Sequence, residues 1–320
     1  MKKIIPKKLE KGMKVGVIAP SNIGKIDNLE EKEIVEKSIK LFNDWGFEVK
    51  FGKNVYLNSY SYGADPKKRA EDINLMFQDK EVGFVFCFKG GDDCSTCFDY
   101  IDFDLIKENP KIICGFSDNT SILNEINYRT GLVTYHGTTF KTLSSWDDIY
   151  SINQIKKVFI DGISEIGEKD DEYRILKEGN TSGELVGGNL TLLPLLVEGK
   201  YKIDFKDKIL FLEDTPMEAN PLAVNRNIYY LKQNGIFDII KGLWIGNYEY
   251  IDEETNKKST IEDIILNAIE YEKNNYKFPI IKSNNFGHIG KKAIIPIGLN
   301  AKIDTKNHKL IELLENEVLN

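Results

Sequence analysis

Between Lys14 and His136 the sequence alternates short apolar runs with amphipathic stretches, and this alternation restricts the fold more than any other feature. "KVGVIAP" (Lys14 to Pro20) is a β-branched run ending in small residues and reads as a buried strand. "NLEEKEIVEKSIKLFNDWG" (Asn28 to Gly46) has apolar residues at helical spacing and stops at a glycine. "FEVKF" is the next strand, and "DPKKRAEDINLMFQD" (Asp65 to Asp79) is a helix with an Asp cap and Pro in its first turn. The strands "VGFVFCF" (Val82 to Phe88), "KIICG" and "LVTYHG" follow, and between the last two lies the helix "DNTSILNEINYRTG", closed by Gly131. Such an order predicts a mostly parallel sheet covered on both faces. In sheets of this kind the working residues sit in loops at the carboxyl ends of the strands.

Past Lys141 the pattern weakens into acidic, Lys-rich and Ser-rich pieces, and it resumes at "GELVGGNL" (Gly183 to Leu190). The strands "KILFL", "KGLWIG" and "FPIIK" then alternate with the helices "NPLAVNRNIYYLKQNG" and "STIEDIILNAIEYEKN", and "AIIPIGLNAKID" and "HKLIELLE" close the unit. The chain of 320 residues has room for two cores. We divide it into an amino-terminal α/β domain at 1–140, a linker at 141–181 with room for a short helix, and a carboxyl-terminal α/β domain at 182–320.

Composition narrows the function. A net charge of −7 argues against binding a nucleic-acid polymer, which needs clustered Lys and Arg. There is no apolar run of about 18 residues to span a membrane, and the basic start has no apolar core of signal-peptide length. We read the protein as cytoplasmic. The short acidic run Asp170-Asp171-Glu172 reads as a solvated face or loop. Four cysteines, Cys87, Cys94, Cys97 and Cys114, crowd one segment. Cys94 and Cys97 form a C-x-x-C near a helix start, where a redox pair would sit; small buried residues are the plainer reading.

The corner "GFSDN" (Gly115 to Asn119) follows an apolar strand and opens a helix. Ser117 there is either a helix cap or a nucleophile lifted to the top of the sheet by a tight turn. The usual elbow is G-x-S-x-G, and Asn119, of a type tolerant of strained turn angles, takes the place of the last glycine. A nucleophilic serine needs a base and an orienting acid. Of three histidines, His308 lies in a polar turn and reads as exposed, His136 ends a strand of the same sheet, and His288 lies in "NNFGHIG" between glycines. His288 is the leading base and His136 the runner-up. In "KILFLEDT", Glu213 is the first charge after a buried strand and would need a partner there. His288 would be such a partner; a carboxylate exposed in a loop is the alternative.

In order along the chain stand "VGVIAPS", "KGGDD", "YIDFDLIKENPKIICGFSDNTSILNEINYRTGLVTYHG", "GELVGGNLTLL", "ILFLEDT" and "FGHIGKKAIIPIG". With these motifs the chain resembles, almost end to end, the LD-carboxypeptidases and the related microcin C immunity peptidases, serine peptidases with a Ser-Glu-His triad. The resemblance implies a flavodoxin-like amino-terminal domain with a mostly parallel sheet, a carboxyl-terminal α/β domain and an active site between them. It puts the nucleophile on Ser117, the acid on Glu213 and the base on His288, with the backbone N–H groups of Gly91 and Asp118 as the oxyanion hole. It also implies a cytoplasmic homodimer that needs no cofactor or metal.

Two small substrates stay open on the resemblance: an L,D-tetrapeptide losing D-Ala, which we favour, and an aminoacyl- or peptidyl-nucleotide. Many members carry Arg where this chain has Lys89. Asp92-Asp93-Cys94 leans to the immunity branch, and "GHIGKKAIIPIG" to the carboxypeptidase branch. The immunity branch stacks a nucleobase on a tryptophan of the linker region, where this chain has only Trp146. A non-catalytic peptide-binding protein on this fold, and a flavodoxin-like redox protein using Cys94 and Cys97, are the readings of other classes.

Overall fold

The computed structural model describes residues 2–25, 27–60, 63–145, 149–215, 220–251, 258–307 and 310–315. Trp146 and His308 lie outside the described residues. In chain order the strands are β1 (Lys14–Ile18), β2 (Glu48–Phe51), β3 (Val82–Cys87), β4 (Ile112–Gly115), β5 (Thr134–His136), β6 (Tyr173–Lys177), β7 (Asn180–Asn189) and β8 (Ile209–Glu213). They continue with β9 (Gly242–Ile245), β10 (Glu249–Ile251), β11 (Lys258–Thr260), β12 (Ile280–Ser283), β13 (Ile295–Ile297), β14 (Asn300–Asp304) and β15 (Ile311–Leu313). The helices are α1 (Leu29–Asp44), α2 (Pro66–Gln78), α3 (Phe103–Glu108), α4 (Thr120–Thr130), α5 (Phe140–Ser145), α6 (Ile149–Ile155), α7 (Pro221–Gln233), α8 (Ile236–Ile239) and α9 (Ile261–Ile269).

The first compact unit comprises Met1–Ser164 and recovers Ile294–Gly298 from late in the chain. Its six strands run in the order β13-β5-β4-β3-β1-β2. Strands β1 to β5 are all parallel, in the flavodoxin-like order 2-1-3-4-5. That order reverses between β1 and β3, which opens a crevice at their carboxyl ends. Local signals set the helices. Asn28 caps α1 by accepting from Glu31 N, and Asp65 caps α2 with Pro66 in its first turn. Helix α1 buries Val35 and Phe42, and Phe42 joins Phe84, Phe86 and Phe140 in an aromatic core on one face of the sheet. The strands are apolar throughout because both faces are covered, and Val15, Val17, Ile112 and Ile113 have no exposed surface.

The second unit comprises Glu165–Ala293 and Leu299–Asn316. Its seven strands run β15-β14-β7-β8-β9-β12-β6, with β7, β8, β9 and β12 parallel and antiparallel strands at both edges. Strands β10 and β11 pair as a separate ribbon. The stretch 141–181 holds more than a short helix: it contains α6, a π-helical turn at Lys156–Ile160, strand β6 and the start of β7. The acidic run within it is not a solvated face throughout, because Asp171 is buried. Among the described residues no helix is long and apolar enough to cross a membrane.

Candidate active site

In the first unit, the chain leaves β4 through the extended residue Phe116 and turns sharply at Ser117, whose φ is +62°. A left-handed backbone costs a non-glycine residue roughly 1–2 kcal/mol, so the surroundings must hold it. Asn119 does part of this, though not as the sequence suggested. Its own backbone is ordinary right-handed helix (φ −65°), so the strained residue is the serine itself. The Asn119 side chain donates to Phe116 O at 2.9 Å and to Lys89 O at 3.1 Å, clamping the corner to the loop after β3. Gly115 makes room for it, since a Cβ there would lie 2.9 Å from Asn119 Cβ.

Gly90, of the Gly90-Gly91 pair, packs directly against this corner. A Cβ on Gly90 would lie 2.8 Å from Ser117 Cβ and 2.9 Å from Ser117 Oγ. A Cβ on Gly91 would run into Ser21 Oγ and Asn22. Gly90, not Gly91, is thus the glycine whose missing side chain admits the serine, a distinction the sequence did not make. The loop is held from below by buried Arg69, which grips Asp93 with two donors at 3.0 and 2.8 Å and donates to Pro20 O at 2.8 Å. Asp118, next to the serine, is also buried. One of its carboxylate oxygens accepts from Ser21 Oγ and from Cys94 N, which ties the loop after β1 to the loop after β3. Burial pushes its pKa up to about 6, against the pull of those two bonds.

His136 ends β5 beside Gly115 of β4, only 1% exposed, with its ring edge-on to Phe116. It is a buried element of the sheet rather than a base at its top. All four cysteines are buried as well. Burial raises the thiols of Cys87 and Cys94 well above the usual range and takes Cys97 and Cys114 to about 12. Buried thiols shifted away from ionisation lack the electropositive, accessible setting of a reactive redox pair.

In the second unit Glu213 is the last residue of β8 and has no exposed surface. Its Oε2 lies 2.6 Å from Nδ1 of His288. With Nδ1–H facing the carboxylate, Nε2 is the nitrogen left with a lone pair. Burial pulls the His288 pKa down, but the charge and hydrogen bond of Glu213 outweigh it, and the net shift is upward. The neighbouring Asp214 is buried too and rises to about 6, through burial first and the Glu213 charge second. It is fixed by Thr191 Oγ1 at 2.8 Å and Asn189 Nδ2 at 3.1 Å.

The loop carrying His288 is tied on both sides. Asn247 N donates to Phe286 O at 2.7 Å and Asn247 Nδ2 to Ile289 O at 3.2 Å. Gly287, at φ +125°, is a glycine because a Cβ would sit 2.6 Å from Asn247 O. Asp171 braces the same loop, accepting from Asn285 Nδ2 at 3.0 Å and Lys291 Nζ at 2.8 Å. Asn285 in turn accepts from Ser283, which accepts from Trp244. Asp171 is the supporting residue that the sequence reading passed over, because a short acidic run gives no sign of which member turns inward.

Family profiles match both parts of the chain. A family profile described as LD-carboxypeptidase N-terminal domain matches residues 15–137, and its C-terminal counterpart matches residues 182–303. The chain belongs to the LD-carboxypeptidase family. Its relatives include a putative carboxypeptidase of Treponema pallidum (strain Nichols), 31% identical over 96% of this chain and 94% of that one. A probable murein peptide carboxypeptidase of Bacillus subtilis (strain 168) is also 31% identical, over 94% of this chain and 91% of the relative. Among solved structures, an MccF-like protein from Bacillus anthracis superposes with a TM-score of 0.84 at 28% identity, covering 98% of this chain and all of that one (100%). LD-carboxypeptidase family membership makes the protein a serine-type peptidase by class.

Proposed function

We propose that the protein is an LD-carboxypeptidase that removes the terminal D-Ala from cell-wall tetrapeptides, with Ser117 as nucleophile, His288 as base and Glu213 as orienting acid. The observation that carries the reading is the buried Glu213–His288 pair at 2.6 Å, because a carboxylate held on Nδ1 orients the ring and leaves Nε2 to act as base. The strained backbone of Ser117 supports it, as does the murein peptide named for the Bacillus subtilis relative.

In this mechanism His288 Nε2 takes the Ser117 hydroxyl proton as Oγ attacks the carbonyl of the last peptide bond. The oxyanion rests on backbone N–H groups of Asp118 and Gly91. The C–N bond then breaks, the amine of D-Ala leaves with the proton from His288, and a water molecule deprotonated by His288 hydrolyses the acyl-enzyme. No step requires a cofactor. The test is mass spectrometry of products from an L,D-tetrapeptide. We expect loss of D-Ala with the wild type and none with a folded Ser117→Ala variant; turnover by that variant would overturn the assignment of the nucleophile.

A further inference from the structure

A carboxypeptidase must read a group that an endopeptidase ignores, the free carboxylate of the residue it removes. We propose that the ammonium of Lys89 binds that carboxylate; this rests on the reading of Ser117 as nucleophile.

Lys89 stands immediately before Gly90, whose Cβ position is filled by Ser117 Oγ at 2.9 Å. Its backbone is pinned. Phe88 N donates to Ile18 O at 2.7 Å, Lys141 N to Phe88 O at 2.9 Å, and Asn119 donates to the Lys89 carbonyl at 3.1 Å. The residue therefore sits at the carboxyl end of β3, next to β1, at the point where the strand order reverses. That is where open α/β sheets hold their ligands.

The charge around it is unbalanced. Lys89, only 18% exposed in its side chain, and Lys141 share one buried carboxylate, Glu31. Glu31 is already engaged, by Lys141 Nζ at 2.7 Å and by Lys25 N at 2.5 Å. Lys89 Nζ stays 3.7 Å from it, too far for a hydrogen bond. Among the described residues Glu31 is its only ion-pair partner. Burial accordingly lowers the Lys89 pKa, against the pull of Glu31. An ammonium taken largely out of water without a hydrogen-bonded partner is costly. Two ammoniums against one carboxylate leave a surplus positive charge around Glu31, part of it carried by the residue that precedes Gly90. An anionic group of the substrate offsets both, and in an L,D-peptide that group is the terminal carboxylate.

The experiment compares an L,D-tetrapeptide ending in D-Ala with the same peptide ending in D-alaninamide, on the wild type, Lys89→Met and Lys89→Arg. Ser117→Ala versions are used to measure binding of both peptides by calorimetry, independently of turnover. A hydrogen-bonded charge pair predicts an acid-over-amide preference on the order of 10²-fold in the wild type. That preference should fall to near one in Lys89→Met, through KM rather than kcat, and return in Lys89→Arg. A melting curve checks that each variant is folded. Retention of the preference by folded Lys89→Met overturns the inference. Turnover by Ser117→Ala would instead strike the nucleophile reading, while the binding ratio would still report on Lys89.

Discussion

Replacing Gly90 by alanine isolates the fit between the glycine loop and the serine. Gly90 is not in a left-handed conformation, so the change adds no backbone strain and acts only through the new methyl group. That methyl would lie 2.8 Å from Ser117 Cβ and 2.9 Å from its Oγ. Ordinary carbon contacts are about 3.5–4.0 Å, so the shortfall is roughly 1 Å. The loop cannot easily retreat, because Arg69 grips Asp93 on one side and Asn119 holds Lys89 O on the other. The serine has to give. A misplacement of about 1 Å in a reacting group costs on the order of 10²-fold in rate, or about 2.7 kcal/mol of barrier. We expect that loss in kcat/KM for Gly90→Ala, and a parallel loss in the rate of inactivation by a fluorophosphonate, with little change in melting temperature. If both rates stayed within about threefold of wild type in a folded variant, the packing argument for the site would fail.

Three further predictions concern the second unit. The raised pKa of His288 places the acid limb of the pH–rate profile above 6.5, since the neutral ring is the base. Glu213→Gln removes the main upward pull, so the limb should move to lower pH while kcat falls by roughly 10³–10⁴. The same pair contributes stability that is present below the unfolded pKa and is lost as pH rises through the folded one. The variant should therefore lose more stability at pH 5 than at pH 9, as read by denaturant titration at each pH. In β7, Gly187 has φ +132° and its Cβ position overlaps the Phe211 carbonyl of β8, a backbone atom that cannot rotate away. Gly187→Ala should cost about 3 kcal/mol or more, and an unchanged unfolding midpoint would refute this.

Much of the first sheet was legible because its parallel strands are covered on both faces and therefore read as continuous apolar runs, as "IICG" and "VGFVFC" do. Glycine and cap signals then closed the helices at Gly131 and opened them at Asn28 and Asp65. Glu213 could be singled out because a charge at the end of an apolar strand is conspicuous. The tertiary partners were not legible. Nothing local says that Asp171 turns inward to Lys291 and Asn285, since one carboxylate in an acidic run looks like the next. Cys94-x-x-Cys97 has the spacing of a redox pair, and only the fold shows that both thiols are buried. Asn119 was noticed for its backbone tolerance, whereas its side chain is what matters. "AIIPIG" looked like part of the last unit, yet it supplies an edge strand to the first.

That edge strand bears on how the protein is made. Residues of β13 pair with β5 through Ile295 and His136, contacts about half the chain apart. As the polypeptide emerges from the ribosome, the amino-terminal sheet can gather five strands early, but β5 must wait for nearly the whole message to be read before it gains its neighbour. Until then its outer edge is open to pairing with another nascent chain. A fragment cut at residue 164 would keep that exposed edge permanently. Neither compact unit is a contiguous product of translation.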